Sequence, residues 1–433
     1  SEGEVAMSSA VEAGAEVVIV GAGIAGLATA LALRRAGVGG GVLVLERHAE
    51  LRATGAALTI FPSGWFALRA LGVAHKLMSR YDAYETFQVT NLENGATQVF
   101  RFAARKNSGE IKARPADRKA LLEALAEELP PGTIRFSSKL VSINSETAEE
   151  EGSPETSVLR LDDGTVIRAK VVIGCDGVHS VVARWLGLSE PVTCGRSAVR
   201  GLAVYPDGHG MKKELRQFLS VGLRASMVPI SDTEVYWFLV NNTVAAAEEE
   251  AGADPAKILR EVTENLGKHM PAEYLDVVRH SDHKSVSWAP LLYRSPWGIL
   301  TGPAARGSVT VAGDAFHPMT PDLAQGGCSA LEDAVVLARA LSRAATPAEG
   351  VAAYVSERRG RAAWLVAGAY LSGWVQHGGI NNAQEGLRGY LVKLFRDLIF
   401  YRFIFPKLAD TLWYDCGDLV PPPSKDKGKK HSE

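Results

Sequence analysis

One segment near the amino terminus constrains the fold of this chain more than any other. An apolar, β-branched run at residues 17–20 leads into Gly21-Ala22-Gly23-Ile24-Ala25-Gly26, and an Ala/Leu-rich stretch follows to residue 35. This order predicts a buried strand, a tight turn and a helix. In such a unit Gly21 permits the turn, Gly23 lets the backbone approach a pyrophosphate, and Gly26 lets the helix pack on the strand. The phosphates would lie at the amino terminus of the helix.

A second apolar strand at residues 42–45 supports this interpretation. It ends in Glu46, 20 residues after Gly26. An acid at about that offset accepts hydrogen bonds from an adenosine ribose. A glycine-rich turn of any α/β sheet is the alternative for the glycine motif alone, but the complete pattern favours a dinucleotide site. It does not choose between FAD and a nicotinamide nucleotide.

Composition excludes several classes of protein. The 433 residues carry 47 Lys and Arg against 49 Asp and Glu, a net charge of −2, so no broad basic face is available for nucleic acid. The uncharged run at residues 17–33 is better explained by the strand, turn and helix than by a membrane span. The four cysteines form no CxxC pair, which predicts reduced thiols and no bound metal.

These features favour a cytoplasmic protein, monomeric or homodimeric. The first six residues are either a remnant before a natural start at Met7 or part of the native chain. Plastid import stays open if the amino terminus is truncated.

Two later segments each join a strand to an acidic residue. An apolar run at residues 169–174 leads into Cys175-Asp176-Gly177, and another at residues 309–313 ends at Asp314. Ligands of open α/β sheets bind at the carboxyl ends of strands, where such an acid can accept hydrogen bonds from a ribityl chain. An ordinary helix-capping aspartate is the alternative for Asp314.

A glycine pair follows Asp314 at the start of a predicted helix. The sequence Gln325-Gly326-Gly327-Cys328 would let backbone lie against a flat ring. The helix amino terminus can stabilise negative charge on a reduced flavin. A glycine-containing loop without a ligand is the alternative.

The three motifs together resemble one family. GAGIAG with Glu46, CDGVHS with Arg184, and GDAFHP with QGG are similar, in that order, to motifs of the FAD-dependent aromatic-ring hydroxylases. The similarity is greatest to plant monooxygenases similar to zeaxanthin epoxidase, salicylate hydroxylase and urate hydroxylase. The resemblance covers roughly residues 17–419. It implies an α/β fold with an interrupted, Rossmann-like FAD-binding domain, a mostly antiparallel substrate-domain sheet and C-terminal helices. It also implies that NAD(P)H is used without a domain of its own, which agrees with the lack of a second GxGxxG between a strand and a helix.

The resemblance also implies a division of the chain into seven segments. They are an FAD-binding part at 11–85, substrate-domain strands at 86–110, a second FAD-binding part at 111–200, the substrate domain at 201–298, a third FAD-binding part at 299–345, C-terminal helices at 346–420 and a disordered tail at 421–433.

Cofactor contacts carry over by position from the family. The ADP part of FAD is assigned to Gly21, Gly23, Ile24, Ala25, Gly26, Glu46 and Arg47. Arg118 matches an arginine that reaches the phosphates, with a solvated helix-start charge as its alternative. Arg52 is expected near the flavin and Val141 near adenine. Asp176 and Gly177 match a motif shared by FAD and NAD(P)H, or brace the first domain. Asp314, Gln325, Gly326, Gly327 and Cys328 are expected at the flavin.

Two positions depart from the family pattern. Ala324 stands where Gly usually precedes the Gln-Gly pair, and Ser63 stands where Asn follows Pro62. If position 324 requires a positive φ, Ala costs on the order of 1 kcal/mol there.

The catalytic residues are expected in the substrate domain and beside the flavin. Arg224 and Tyr236, 12 residues apart, resemble an Arg and Tyr pair of urate hydroxylases; an exposed strand arginine and a core tyrosine are the alternative. The family places His317 and Pro318 beside the reactive edge of the flavin. Candidates for an apolar wall that keeps water out are Trp65, Phe66, Trp237, Phe238, Phe316 and Met319. Packing in the protein core is the alternative for each of them.

The resemblance implies that NAD(P)H reduces FAD, that O₂ forms a C4a-hydroperoxide, and that one oxygen atom reaches a small aromatic or conjugated substrate. The alternatives are a flavin oxidase or dehydrogenase on the same scaffold, and a flavin-binding regulatory protein whose chemistry has decayed. Apolar residues recur at helical spacing between 391 and 405, which predicts a helix on the FAD domain or a weak membrane-surface contact.

Overall fold

The computed structural model describes residues 14–38, 40–52, 57–101, 105, 108–146, 155–243, 253–376, 391, 399 and 403–419. Its strands are β1 Ala15–Val20, β2 Val42–Leu45, β3 Ala57–Ile60, β4 Thr86–Asn91, β5 Thr97–Arg101, β6 Arg114–Asp117, β7 Ile134–Arg135, β8 Leu140–Glu146, β9 Thr156–Leu161, β10 Val166–Gly174, β11 Val192–Val204, β12 Glu214–Ser220, β13 Leu223–Pro229, β14 Glu234–Asn241, β15 Ser287–Tyr293, β16 Ala305–Arg306 and β17 Val309–Val311.

The α-helices of the described part are α1 Ile24–Arg35, α2 Pro62–Ala70, α3 Ala74–Met78, α4 Arg118–Ala126, α5 Val181–Leu186, α6 Pro255–Arg260, α7 Ala272–Arg279, α8 Pro296–Thr301, α9 Gly326–Arg343, α10 Pro347–Gln376 and α11 Phe405–Thr411.

An eight-stranded sheet brings the separated sequence motifs to one edge. Its main path is β16-β17-β10-β1-β2-β7, and β17, β10, β1 and β2 are mutually parallel. Val20 at the end of β1 pairs with Gly174 and Leu45, and Gly174 pairs with Val311. Four strands of the same direction therefore end together, and the glycine turn, Glu46, Gly177 and Asp314 follow these ends.

A seven-stranded sheet forms the second layer, with the order β15-β11-β14-β13-β12-β4-β5. All neighbouring pairs are antiparallel except β12 and β4, which run parallel. Successive side chains of β14 point to opposite faces of the sheet, and the two faces have different surroundings. Trp237 is fully buried and donates to Ser281 at 2.7 Å, whereas Tyr236 and Phe238 face the first layer and line a cavity. The mixed α/β class and the mostly antiparallel second sheet are confirmed.

The segment boundary expected at residue 200 falls inside a strand. β11 runs from Val192 to Val204 and pairs with β14 and β15 along most of its length. A continuous ladder cannot be divided between layers, so the chain enters the second sheet near residue 192. Most of the apolar stretch from 391 to 405, and the tail from 421, lie outside the described residues. Leu391, Ile399 and Phe403, which are described, are exposed.

Candidate cofactor and substrate site

A cavity of about 640 Å³ lies between the two sheets. One wall comes from the strand-end edge of the first sheet, including Gly23, Asp314 and Gly326. The opposite wall is the inner face of the second sheet. One side is closed by Ser372 and Gln376 of α10, by Leu408 of α11 and by Leu412, which follows α11. The cavity thus joins the expected nucleotide edge directly to the expected substrate sheet.

The glycine turn has the shape expected of a pyrophosphate cradle. A Cβ on Gly26 would lie 1.8 Å from the Gly21 carbonyl oxygen, so only glycine lets α1 pack this closely. Gly21 itself has a φ of +104°. In contrast, a Cβ on Gly23 would meet no atom of the described residues within 4 Å. Gly23 is the N-cap of α1, so the space beyond it faces a helix amino terminus, where an anion binds favourably.

Glu46 is buried beside the glycine turn, and its carboxylate accepts hydrogen bonds both from that turn and from the backbone that follows β2. One carboxylate oxygen accepts from the Ala22 backbone at 2.9 Å and the other from the His48 backbone at 2.9 Å. Carboxylate oxygens have further lone pairs, so this geometry leaves acceptor capacity for a ribose. Arg47 and Arg52 are exposed, and both donate toward the His48 imidazole, at 3.2 and 3.5 Å.

Val141 is 56% exposed and lies at a register irregularity between Leu140 and Ser142 in β8. The nearby Ser138 backbone donates to the Glu46 carbonyl at 2.8 Å. This part of the chain therefore flanks the ribose side of the expected nucleotide, and the adenine contact of Val141 stays a prediction.

Asp176 and Gly177 are adjacent but have different roles in the structure. Gly177, with a φ of +81°, lines the cavity. The Asp176 carboxylate instead accepts from the Ser180 hydroxyl and from the Val181 backbone at 2.7 Å. Burial raises the pKa of Asp176, and these hydrogen bonds act in the opposite direction. The side chain therefore braces the start of α5 in this structure.

The segment before α9 supplies the edge of the cavity opposite the glycine turn. Asp314 is exposed, lines the cavity, and has a carboxylate oxygen 4.0 Å from where a Cβ on Gly326 would stand. Gly327 also lines the cavity, but its lack of a side chain has another cause as well: a Cβ there would lie 2.8 Å from a Leu58 methyl group.

Gln325 and Cys328 turn their side chains into the protein. Ser63 donates its hydroxyl to the Gln325 amide oxygen at 3.2 Å, which gives the departure at position 63 a structural task. Burial raises the pKa of the fully buried Cys328 thiol to about 11. Neither residue is among those that line the cavity.

Ala324 occupies the left-handed region that its place in the motif suggested. Its φ is +51° and its ψ is 34°, after the short 3₁₀ turn Pro321–Leu323. Glycine has no Cβ penalty in this conformation, whereas alanine does. The strained residue is exposed and lines the cavity between the turn and α9.

Arg118 begins α4 and lines the cavity on the cofactor side. Its buried Nε has no hydrogen-bond partner among the described residues. An unpaired buried donor on an arginine is costly unless a ligand supplies the acceptor. The open cradle at Gly23 and this orphaned donor both fit a bound diphosphate.

The pair Arg224 and Tyr236 lies on the cavity face of the second sheet, but the two residues are well separated. Arg224 pairs in register with Val240, and Tyr236 pairs with Val228. Four residues along a strand correspond to roughly 13 Å. Arg224 is only 6% exposed, so the alternative of an exposed strand arginine is wrong.

Arg224 belongs to a buried ion cluster that the sequence did not suggest. Its guanidinium donates to Asp322, and Arg196 donates to both oxygens of the same carboxylate at 3.1 and 2.8 Å. Burial opposes ionisation of Asp322, but Arg224 and Arg196 outweigh it and lower the pKa of that carboxyl. A Cβ on Gly373 would lie 2.4 Å from both Asp322 and Arg196, so glycine is what lets α10 cover the cluster.

The prediction that His317 acts at the flavin edge is wrong. His317 is fully buried and is not among the residues that line the cavity. Its Nε2 lies 2.5 Å from Asp333, which also accepts from the Gly313 backbone at 2.9 Å and from Arg358 at 2.7 Å. The contact with Asp333 holds the imidazole inside the protein, away from the cavity. The adjacent Pro318 lines the cavity.

The apolar wall is only partly the one expected. Phe238 and Met319 line the cavity. Trp65, Phe66 and Phe316 instead pack in the core of the first layer, and Trp237 packs in the core behind the second sheet. Sequence reasoning missed further apolar lining residues, namely Phe61, Tyr84, Phe87, Leu215, Val228 and Leu291. Most of these lie on strands of the second sheet, where the face that each side chain occupies depends on register.

None of the described helices has the length and apolar character needed to cross a bilayer. Within the same residues, no group of three or more His, Cys, Asp or Glu side chains is arranged to hold a metal ion.

Comparison with known proteins agrees with this geometry. Residues 14–369 match the family model described as FAD binding domain. The chain is 38% identical over 428 residues to Monooxygenase 2 of Arabidopsis thaliana, covering 95% of this chain and 99% of the relative. It is 31% identical over 357 residues to the FAD-dependent urate hydroxylase of Mycolicibacterium vanbaalenii, covering 81% and 86%. The fold is similar to Klebsiella pneumoniae HpxO complexed with FAD and uric acid, with a TM-score of 0.76, 22% identity and coverage of 93% and 98%.

Proposed function

The chain belongs to the FAD-binding-domain family and is an FAD-dependent monooxygenase, and from this premise we propose that it uses NAD(P)H and O₂ to hydroxylate or epoxidise a small aromatic or conjugated compound. The observation that carries the proposal is the shared cavity, lined on one side by Gly23, Asp314 and Gly326 and on the other by Phe238 and Arg224.

The residues of this chain divide the work of holding the cofactor. The amino terminus of α1 at Gly23 and the guanidinium of Arg118 bind the diphosphate, and Glu46 accepts from the adenosine ribose. Asp314 accepts from ribityl hydroxyls, and the amino terminus of α9 at Gly326 supports negative charge on the ring.

When bound, FAD supplies the redox chemistry by which substrate, NAD(P)H, H⁺ and O₂ give oxygenated product, NAD(P)⁺ and water. The apolar lining supplied by Phe238, Met319 and Leu291 keeps water away from that chemistry, because water diverts oxygen toward hydrogen peroxide. The buried Arg196–Asp322–Arg224 cluster holds the turn before α9 against the second sheet, and this would fix the separation of the cofactor edge from the substrate wall.

Coupling between the reductant and the product tests the proposal. Purified holoenzyme is given NADH or NADPH with a panel of aromatic and conjugated compounds, and consumption of reductant, O₂ uptake and hydrogen peroxide are measured together. At least one compound should accelerate NAD(P)H oxidation while peroxide accounts for only a minor part of it. If peroxide matches NAD(P)H consumption for every compound, the protein is an oxidase and the proposal fails.

A further inference from the structure

Arg200 and Tyr236 lie on the cavity wall without a polar partner in the part of the chain that the structure describes. Arg200 is on β11 and Tyr236 on β14, and both side chains are half-buried and line the cavity. Among the described residues, neither the Arg200 guanidinium nor the Tyr236 hydroxyl makes a hydrogen bond or ion pair. Groups of this kind at a cavity surface are available to a ligand.

The two residues are neighbours in the sheet. In the antiparallel register of β11 and β14, Arg200 is opposite Phe238 and Leu202 is opposite Tyr236. Arg200 and Tyr236 are therefore diagonal neighbours on the same face, within reach of long side chains. The electrostatics agree, because burial raises the pKa of Tyr236 while Arg200 and then Arg118 act in the opposite direction.

No carboxylate among the described lining residues neutralises Arg200. The acidic side chains of that lining are Asp314 and Asp322. Asp322 is engaged by Arg196 and Arg224. Asp314 stands beside Gly326, at the cofactor edge. An unneutralised guanidinium in a partly dry cavity favours binding of an anion.

We propose that Arg200 and Tyr236 form an oxyanion subsite, in which the guanidinium and the phenol hydroxyl both donate to one carboxylate or phosphate group. Arg118, assigned to the cofactor diphosphate, strengthens the positive potential at its edge. This inference rests on the proposed function, because the molecules that enter the cavity are the organic substrate and the nicotinamide nucleotide. The oxyanion is then either a carboxylate of an aromatic acid or a phosphate of NAD(P)H.

Ligand binding and steady-state kinetics of the holoenzyme together test the subsite, and the binding part requires no turnover. The flavin absorbance spectrum is titrated with benzoate and 2-naphthoate and with their matched neutral amides, and the KM for NADPH and for NADH is measured separately. The variants are Arg200→Gln and Tyr236→Phe. Arg216→Gln is the matched control, because Arg216 pairs with Glu273 on the opposite face of the same sheet.

If the oxyanion is a substrate carboxylate, wild type should bind the carboxylates more tightly than the amides. Arg200→Gln should then weaken carboxylate binding by about 10- to 100-fold, as expected for loss of a charged hydrogen bond. Amide binding should change less than about twofold, and Tyr236→Phe should have a smaller effect, of roughly 2- to 10-fold, in the same direction. If the oxyanion is a nucleotide phosphate, Arg200→Gln should instead raise the KM for the nucleotide by a similar factor. Arg216→Gln should behave as wild type in both arms.

Two results would overturn the subsite. One is that Arg200→Gln changes neither carboxylate binding nor the KM for either nucleotide. If carboxylates and amides alike leave the flavin spectrum of wild type unchanged, an unchanged KM in Arg200→Gln has the same meaning. The other is that Arg200→Gln loses FAD, which would assign the anion to the cofactor. A protein that shows the anion preference but never forms oxygenated product would contradict the proposed function and leave the subsite standing.

Discussion

Replacing Ala324 by glycine should stabilise the protein, although alanine is usually the more stabilising residue. Ala324 has a φ of +51° and a ψ of 34°. A residue with a Cβ pays roughly 1–2 kcal/mol in the left-handed region. Glycine removes that cost but gains about 0.4–1 kcal/mol of entropy in the unfolded chain. Because Ala324 is exposed, loss of its methyl group sacrifices little burial, and the two opposing ranges leave a net gain of about 0–1.6 kcal/mol, centred near 0.8 kcal/mol.

Ala353→Gly is the matched control. Ala353 is exposed within α10, and the same chemical change there removes a good helix former from a regular helix. Glycine should cost about 0.5–1 kcal/mol at this position. The two variants therefore carry the same substitution at exposed positions, but their expected changes in the free energy of unfolding have opposite signs.

Urea unfolding followed by tryptophan fluorescence measures both variants, with and without saturating FAD, because a ligand of the native state shifts the midpoint by mass action. Ala324→Gly should raise the midpoint and Ala353→Gly should lower it at an unchanged m value. If Ala324→Gly lowers the midpoint as much as the control does, the left-handed conformation at residue 324 is refuted.

Three further predictions concern the cofactor cradle and the buried ion clusters. Gly26→Ala should destabilise the fold, because its Cβ would stand 1.8 Å from a backbone oxygen. Gly23→Ala should fold normally and lose FAD affinity, because its Cβ enters only the open cradle. Thermal unfolding and FAD titration distinguish the two variants, and equal loss of folding would contradict the cradle. His317→Asn should lower the free energy of unfolding while the pH dependence of kcat/KM stays as in wild type, because the imidazole does not line the cavity; a shifted pH profile would restore a chemical role. Asp322→Asn should cost about 3–5 kcal/mol at neutral pH, because it leaves two buried arginines without their carboxylate. Since the folded pKa of Asp322 is lowered, its contribution to the free energy of unfolding is complete above the unfolded pKa of about 3.9 and is lost as the pH falls through the folded pKa. Asp322→Asn should therefore lose less stability than wild type between neutral and acidic pH. If urea unfolding gives the same loss of stability with falling pH for both proteins, this prediction is contradicted.

The cofactor edge was predictable from sequence because its parts are local. Gly21 and Glu46 directly follow strands, and Asp314 comes three residues after the end of β17. Parallel strands bring such residues to one edge of a sheet. The need for a left-handed residue at 324 was also visible, as a departure from a glycine position. In each case the signal and the structural consequence lie within a few residues of each other.

The substrate side was less accessible to sequence reasoning because its contacts are distant along the chain. Arg196 and Asp322 are 126 residues apart, and Arg224 and Asp322 are 98 apart, so no local pattern announces the cluster. Tyr236 and Trp237 are adjacent but face opposite sides of the second sheet, and only the register of β14 decides which one reaches the cavity. His317 was misassigned for the same reason, because Asp333 and Arg358 come from other elements.

Isotope labelling shows whether the protein transfers an oxygen atom from O₂ to its substrate. The holoenzyme is supplied with NADPH and ¹⁸O₂ together with the compounds that accelerate NADPH oxidation, and the products are examined by mass spectrometry. One ¹⁸O atom should enter the product for each NADPH consumed in coupled turnover, while the second appears as water. Products that carry no ¹⁸O, with all of the label recovered as hydrogen peroxide, would contradict this prediction.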